Sequence, residues 1–315
     1  LHGGPEGFQN KVWESREHEG GIEFLYYSED GEMGYPGALK TVARYEWTEE
    51  NELRLTITAE ADAPTVLNLT SHAYFNLNGE GSGTILNHTL KFNCSEYLPT
   101  TPSQIPFGES EPVAGTPMDF VNPKALGAEI KADFPALNYG KGYDNCWVID
   151  GYEPGQIQEA AELYAPESGR VLNVYTTQPG VQIYTGNYLG ICKGRNKKIY
   201  KSHGAICMET QYFPNHINEE NFVSALPVST LNSTSHPSSD KRETSLISLG
   251  VSIRVAPKPI KTILEFLRES RRLLRLVFRL PEINDSSLSQ AKAIGSLNRL
   301  SPNFAFISSS SLIMR

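Results

Sequence analysis

Two residues stand out as groups that could move protons. Glu209 sits in His203-Gly204-Ala205-Ile206-Cys207-Met208-Glu209-Thr210-Gln211-Tyr212-Phe213, an otherwise apolar strand-like run. A carboxyl group there pays a desolvation cost, which raises its pKa and suits a general base working near neutrality. A structural carboxylate tied to a backbone or Arg partner is the competing reading. His72 sits in Val66-Leu67-Asn68-Leu69-Thr70-Ser71-His72-Ala73-Tyr74-Phe75-Asn76-Leu77. If that run is one strand, Leu67, Leu69, Ser71, Ala73, Phe75 and Leu77 share a core face, and Asn68, Thr70, His72, Tyr74 and Asn76 share the other. The second face is polar without Lys or Glu, as a sugar-lined cleft would be. An ordinary histidine on a surface strand is the alternative.

Three further positions bear on chemistry. In Gly142-Tyr143-Asp144-Asn145 an acid enters an apolar strand, where a simple turn Asp is the plain reading. Gln182 lies in Gln178-Pro179-Gly180-Val181-Gln182-Ile183-Tyr184-Thr185-Gly186-Asn187, two strands around a Pro-Gly turn, as a ligand for a sugar or as a satisfied strand amide. His2 stands beside Gly3-Gly4, residues free to adopt unusual backbone angles. No phosphate-binding Gly-rich loop, nucleophile elbow or metal-ligand spacing is present. Cys94, Cys146, Cys192 and Cys207 form no C-x-x-C pair and read as buried free thiols of a reducing compartment.

The elements that must hold these residues are strands. Period-two alternation bounded by turn residues recurs at residues 22–27, 41–47, 53–60, 65–77, 89–92, 144–149, 159–164, 171–178, 181–188 and 204–213. A helical period is nearly absent before residue 230, with one short turn expected within 122–133. This predicts an all-β chain built as a large antiparallel β-sandwich.

Composition divides the 315 residues. Residues 1–230 carry 15 Lys+Arg against 30 Asp+Glu, whereas residues 231–315 carry 13 against 6. All 15 Tyr precede the boundary, and 17 Ser follow it. Two domains are therefore expected: a sandwich over 1–230, and a basic Ser-rich tail over 231–315 that is not part of the fold. Residues 260–280 have the pattern of a basic amphipathic helix, for a membrane surface or a partner. The preferred reading of the tail is translated non-coding or frame-shifted sequence. The acidic body argues against nucleic acid as a partner, and no apolar run is long enough to span a membrane.

In order along the chain, Leu1-His2-Gly3-Gly4 with Gly7-Phe8 and Trp13, Asn68 to Leu77, Gly142-Tyr143-Asp144, Thr177 to Asn187, and Glu209-Thr210-Gln211 with Phe213-Pro214 and Asn218 resemble the aldose 1-epimerase (galactose mutarotase) family over residues 1 to about 230. The resemblance implies a galactose mutarotase-like β-sandwich that interconverts the α and β anomers of aldohexoses such as galactose and glucose. It implies Glu209 as general base and His72 as the acid that protonates the ring oxygen. It implies His2, Asp144 and Gln182 as residues that hold the sugar, with no metal and no organic cofactor. The expected partner is a small aldohexose, and the expected compartment is the cytoplasm. Family members carry earlier strands with Gly-Arg and Asn-Arg pairs, and a last strand after a Leu-Arg-Pro-Gly-Glu-like turn; neither is matched here. The alternatives are a non-catalytic carbohydrate-binding sandwich or an inactive fragment of the enzyme. An epimerase of phosphorylated hexoses would want a basic phosphate site, which the motifs lack.

Overall fold

A computed structural model describes residues 2–194, 197–223, 247–255 and 310–312. In chain order the strands are β1 (Glu14–His18), β2 (Gly21–Ser28), β3 (Leu39–Trp47), β4 (Glu52–Ala61), β5 (Leu69–Ser71), β6 (Tyr74–Phe75), β7 (Thr89–Phe92), β8 (Glu96–Tyr97), β9 (Glu111–Pro112) and β10 (Lys124–Ala125). They continue as β11 (Asp144–Val148), β12 (Gln158–Ala165), β13 (Arg170–Thr176), β14 (Gly180–Tyr184), β15 (Cys192–Lys193), β16 (Ile199–Tyr200), β17 (Ile206–Gln211), β18 (Ile247–Val255) and β19 (Ser310–Leu312). One α-helix, α1 (Pro135–Gly140), is present among the described residues. It begins two residues beyond the 122–133 segment where a helical turn was expected. Pro135 accounts for the shift: proline fixes the backbone angle of a first helical residue and needs no N–H partner there.

Two antiparallel sheets make the body. The larger has nine strands in the order β1-β2-β3-β4-β18-β13-β12-β7-β10, and the smaller has six in the order β6-β17-β14-β11-β8-β9. Alternation does what the sequence predicts. In β3, Leu39, Thr41, Ala43 and Tyr45 are buried, and Lys40, Val42, Arg44 and Glu46 are less so. Leu90, Phe92, Leu163, Leu172 and Val174 of the large sheet share one apolar cluster with Trp147, Val181, Ile183 and Ile206 of the small sheet. Trp147 is fully buried there and donates its indole N–H to the Met118 carbonyl at 3.1 Å. Each such side chain contributes roughly 1.5–3 kcal/mol by leaving water.

The run at 65–77 is not one strand. It breaks into β5 and β6, with His72 and Ala73 between them. The expected polar face also fails at its start: Asn68 and Thr70 are both only 2% exposed. Asn68 is taken inside because its side chain acts as a piece of backbone. It donates to the Tyr212 carbonyl at 2.9 Å and accepts from the Tyr212 N–H at 3.0 Å.

β18 departs from the boundary drawn at residue 230. It lies beyond that boundary, yet it pairs antiparallel with β4 on one side and β13 on the other. The physical reason is local pattern. Ile247-Ser248-Leu249-Gly250-Val251-Ser252-Ile253-Arg254-Val255 alternates apolar and small or polar residues over nine positions, as a strand in a half-buried sheet requires. Regional charge and Ser content cannot register such a pattern. The amphipathic segment at 260–280 lies outside the described residues. β19 pairs with β5.

Candidate active site

The small sheet carries the candidate site on the face turned away from the apolar cluster. In β17 the residues alternate, so Ile206 and Met208 point into the cluster while Cys207 and Glu209 point the other way. Antiparallel register then builds rows across the strands. Tyr74 of β6 is opposite Cys207, Cys207 is opposite Tyr184 of β14, and Tyr184 is opposite Asp144 of β11. One step along, Glu209 is opposite Gln182, which is opposite Cys146. Directly opposed residues share a face. Glu209, Gln182 and Asp144, expected at the site from three distant segments, therefore stand on one surface.

His72 enters from the break between β5 and β6. Its Nε2 lies 3.5 Å from Glu209 Oε1. The ring stacks on Tyr74, with centroids 5.0 Å apart, and meets the ring of His2 edge-on at 5.5 Å. The Asn68–Tyr212 clasp sits four residues before His72 and three after Glu209, so it ties the two supporting segments together. Burial governs the charges. Glu209 is 2% exposed, and its pKa is pushed well up by burial and then by the nearby Asp144 carboxylate. His72 is pushed down to about 4 by burial and by its neighbour His2, and burial lowers His2 as well. Burial thus drives both members of the pair toward their neutral forms.

Asp144 is held by two amides. Gln182 Nε2 donates to Oδ1 and Gln104 Nε2 donates to Oδ2, each at 2.9 Å. Burial raises the Asp144 pKa, and the two amides oppose that rise. The approach to Asp144 depends on Gly142, whose φ is +138°. A Cβ there would run into the Asn187 amide. That amide is fixed by donating to the Gly140 and Tyr143 carbonyls at 2.8 and 3.0 Å.

The structure brings the five expected residues together: His2 meets His72, His72 meets Glu209, and Gln182 and Asp144 share the sheet face of Glu209. Sequence reasoning missed Gln104, which lies in a loop with no periodic signal and meets Asp144 only through the fold. It also read Cys207, with the other three cysteines, only as a buried free thiol. Cys207 is buried, but two residues from Glu209 on the same strand face, and its thiol is hydrogen-bonded to the Tyr74 hydroxyl. The ligand atoms of His72, Cys207 and Glu209 lie within 4.8 Å of one another, the one such group among the described residues that could hold a metal ion. Chemically, the pair can take a proton from one oxygen and deliver another to an oxygen nearby. No described helix is long and apolar enough to cross a membrane.

Comparison with known proteins bears on what that chemistry serves. The family model for aldose 1-epimerase matches residues 1–227. The galactose mutarotase of Homo sapiens is 41% identical over 227 residues, 72% of this chain and 64% of that protein. That of Pongo abelii is 42% identical over the same shares. The aldose 1-epimerase of Escherichia coli (strain K12) is 35% identical over 219 residues, 69% of this chain and 62% of that protein. Among solved structures, a galactose 1-epimerase from Lactobacillus acidophilus NCFM aligns with a TM-score of 0.65 at 25% identity, over 81% of this chain and 69% of that one. A GalM/aldose epimerase homologue from C. elegans aligns with a TM-score of 0.69 at 24% identity, over 82% and 73%, a likeness of fold. The chain spans a little under two thirds of the length of the curated relatives it matches.

Proposed function

The chain belongs to the aldose 1-epimerase family; from that membership and the paired Glu209 and His72 we propose that it interconverts the α and β anomers of an aldohexose such as galactose or glucose. The observation that carries the reading is a buried carboxyl 3.5 Å from a half-buried imidazole, with burial shifting the two pKa values in opposite directions.

Ring opening needs Glu209 ionised and His72 protonated. Glu209 takes the proton from the anomeric hydroxyl as the C1–O1 bond becomes a carbonyl. The C1–O5 bond breaks, and His72 gives its proton to O5. The pair ends as carboxylic acid and neutral imidazole, the form burial favours. Rotation about C1–C2 exposes the other carbonyl face. On closure His72 takes the O5 proton, O5 attacks C1, and Glu209 returns a proton to O1. The pair holds one proton throughout, so nothing is consumed. Each transfer is worth about 10²–10⁴-fold. Asp144, fixed by Gln182 and Gln104, accepts from sugar hydroxyls, with Gln182 and His2 completing the cradle.

Polarimetry on freshly dissolved α-galactose or α-glucose tests the reading. Glu209→Gln should lower kcat by about 10³-fold or more. His72→Asn should lower kcat with a smaller change in KM. Mutarotation by Glu209→Gln at the native rate would remove the base and favour a sugar-binding module without catalysis.

A further inference from the structure

We propose that His72, Cys207 and Glu209 form a binding site for a borderline-soft divalent metal ion such as Zn²⁺, and that the ion, once seated, switches the proton-transfer pair off. The binding part stands on the geometry alone; the inhibitory consequence rests on the proposed function.

The donor set is imidazole nitrogen, thiolate sulfur and carboxylate oxygen, the three ligand types of protein zinc sites. In a tetrahedral complex with bonds near 2.0–2.3 Å, neighbouring donors stand roughly 3.3–3.8 Å apart. His72 Nε2 and Glu209 Oε1 are already 3.5 Å apart. No pair among the three exceeds 4.8 Å, so the other edges need to close by little more than about 1 Å. Cys207 and Glu209 alternate on one strand face, which fixes two of the three donors on a rigid frame.

Charge favours the same ion. A divalent cation with one thiolate, one carboxylate and one neutral imidazole is neutral overall, which suits a desolvated floor better than any ionised member alone. The thiolate excludes Mg²⁺ and Ca²⁺, which take oxygen ligands. His72 remains partly exposed, with 14% of its side chain in contact with solvent, which gives the ion a route in. Three protein ligands leave a fourth position for water or a sugar hydroxyl. On binding, the cation displaces the thiol proton and the Glu209 proton into solvent. With Glu209 and His72 lone pairs on the metal, neither can carry a proton to or from the sugar.

The test uses the full chain. Zn²⁺ affinity is measured by competition with a chromophoric chelator, and Co²⁺ is used as a spectroscopic stand-in. The expected result is one zinc held by this site and a near-ultraviolet thiolate-to-cobalt charge-transfer band. Cys207→Ser should abolish the band, and Cys207→Ser and His72→Asn should each weaken Zn²⁺ by at least about 100-fold, since even outer-shell losses cost 10–100-fold. Circular dichroism of both variants checks that the sheet is intact, and His72→Asn, at a half-buried loop position, serves if the serine variant does not fold. Zinc affinity within about threefold of native in either folded variant overturns the site. In a form that mutarotates, Zn²⁺ should inhibit and a chelator should restore activity. Zinc binding without mutarotation by any form refutes the proposed function and leaves the metal site standing. Mutarotation without zinc binding refutes the metal site alone.

Discussion

Replacing Asn68 by alanine should destabilise the protein and loosen its proton-transfer pair together. Asn68 is 2% exposed and makes two hydrogen bonds to one residue, Tyr212. Truncation leaves the Tyr212 N–H and carbonyl without their partners. A buried polar group left unsatisfied costs about 1–3 kcal/mol. Two such groups give about 2–6 kcal/mol, with the lower end reached if water fills the space vacated by the amide. Asn68→Asp makes a sharper test. The acid keeps an acceptor for the Tyr212 N–H but turns a carboxylate oxygen toward the Tyr212 carbonyl, which Asn68 Nδ2 now approaches at 2.9 Å. Protonation restores a donor, so this variant should gain stability relative to the native protein as pH falls through its carboxyl pKa. Urea unfolding at pH 7 and pH 4.5 reads both effects, with an unchanged m-value as the check that only stability moved. Because the clasp ties the segments of His72 and Glu209, kcat should also fall, by about 10²-fold for a displacement near 1 Å. An alanine variant within about 0.5 kcal/mol of native, the range of ordinary surface substitutions, would refute the clasp.

Other outcomes follow from single contacts. His88 is fully buried, its Nε2 accepts the Leu77 N–H at 3.1 Å, and burial pushes its pKa down to about 4. The folded state therefore prefers the neutral ring: its stabilisation is complete above about pH 6.5 and is lost as pH falls toward 4. Between pH 7.5 and 5 this removes about 1–2 kcal/mol after allowance for solvent screening, and His88→Gln, measured by denaturant unfolding at both pH values, should lose that much less than the native protein. Gly142→Ala, at φ +138° and against the pinned Asn187 amide, should cost about 1–3 kcal/mol by thermal unfolding, and a smaller loss than at an exposed Gly such as Gly151 would count against it. Gln104→Ala removes one of two donors to Asp144 and should raise KM for the sugar by about tenfold with little change in kcat, since a hydrogen bond to a charged group is worth about 1.5–3 kcal/mol; an unchanged KM would remove Gln104 from the cradle.

Much of the architecture is written locally. β2, β3, β4, β12, β13 and β14 appear where alternation places them, because a strand with one buried face must put apolar residues at every second position. The same logic overrode composition at β18, where nine alternating residues joined the sheet despite their Ser-rich, basic surroundings. Glu209 was legible too, as a carboxyl inside an apolar run. The 65–77 run misled because alternation does not reveal a break: His72 lies between two short strands, and Asn68 turns inward to mimic a backbone partner. Gln104, in a loop, left no pattern at all.

The sequence by itself determined which residues could do proton chemistry and that strands would carry them. Only the tertiary structure decided which of them meet. The row Tyr74–Cys207–Tyr184–Asp144 runs across four strands whose residues are as many as 133 positions apart in the chain, and one residue of slip in any pairing would send a member of the row to the opposite face. That register is set by the packing of whole sheets around Trp147 and its neighbours, a sum over many side chains that no short segment contains. The same packing supplied the burial that shifts Glu209 and His72 in opposite directions, since desolvation belongs to the surroundings of a group and not to the residue itself.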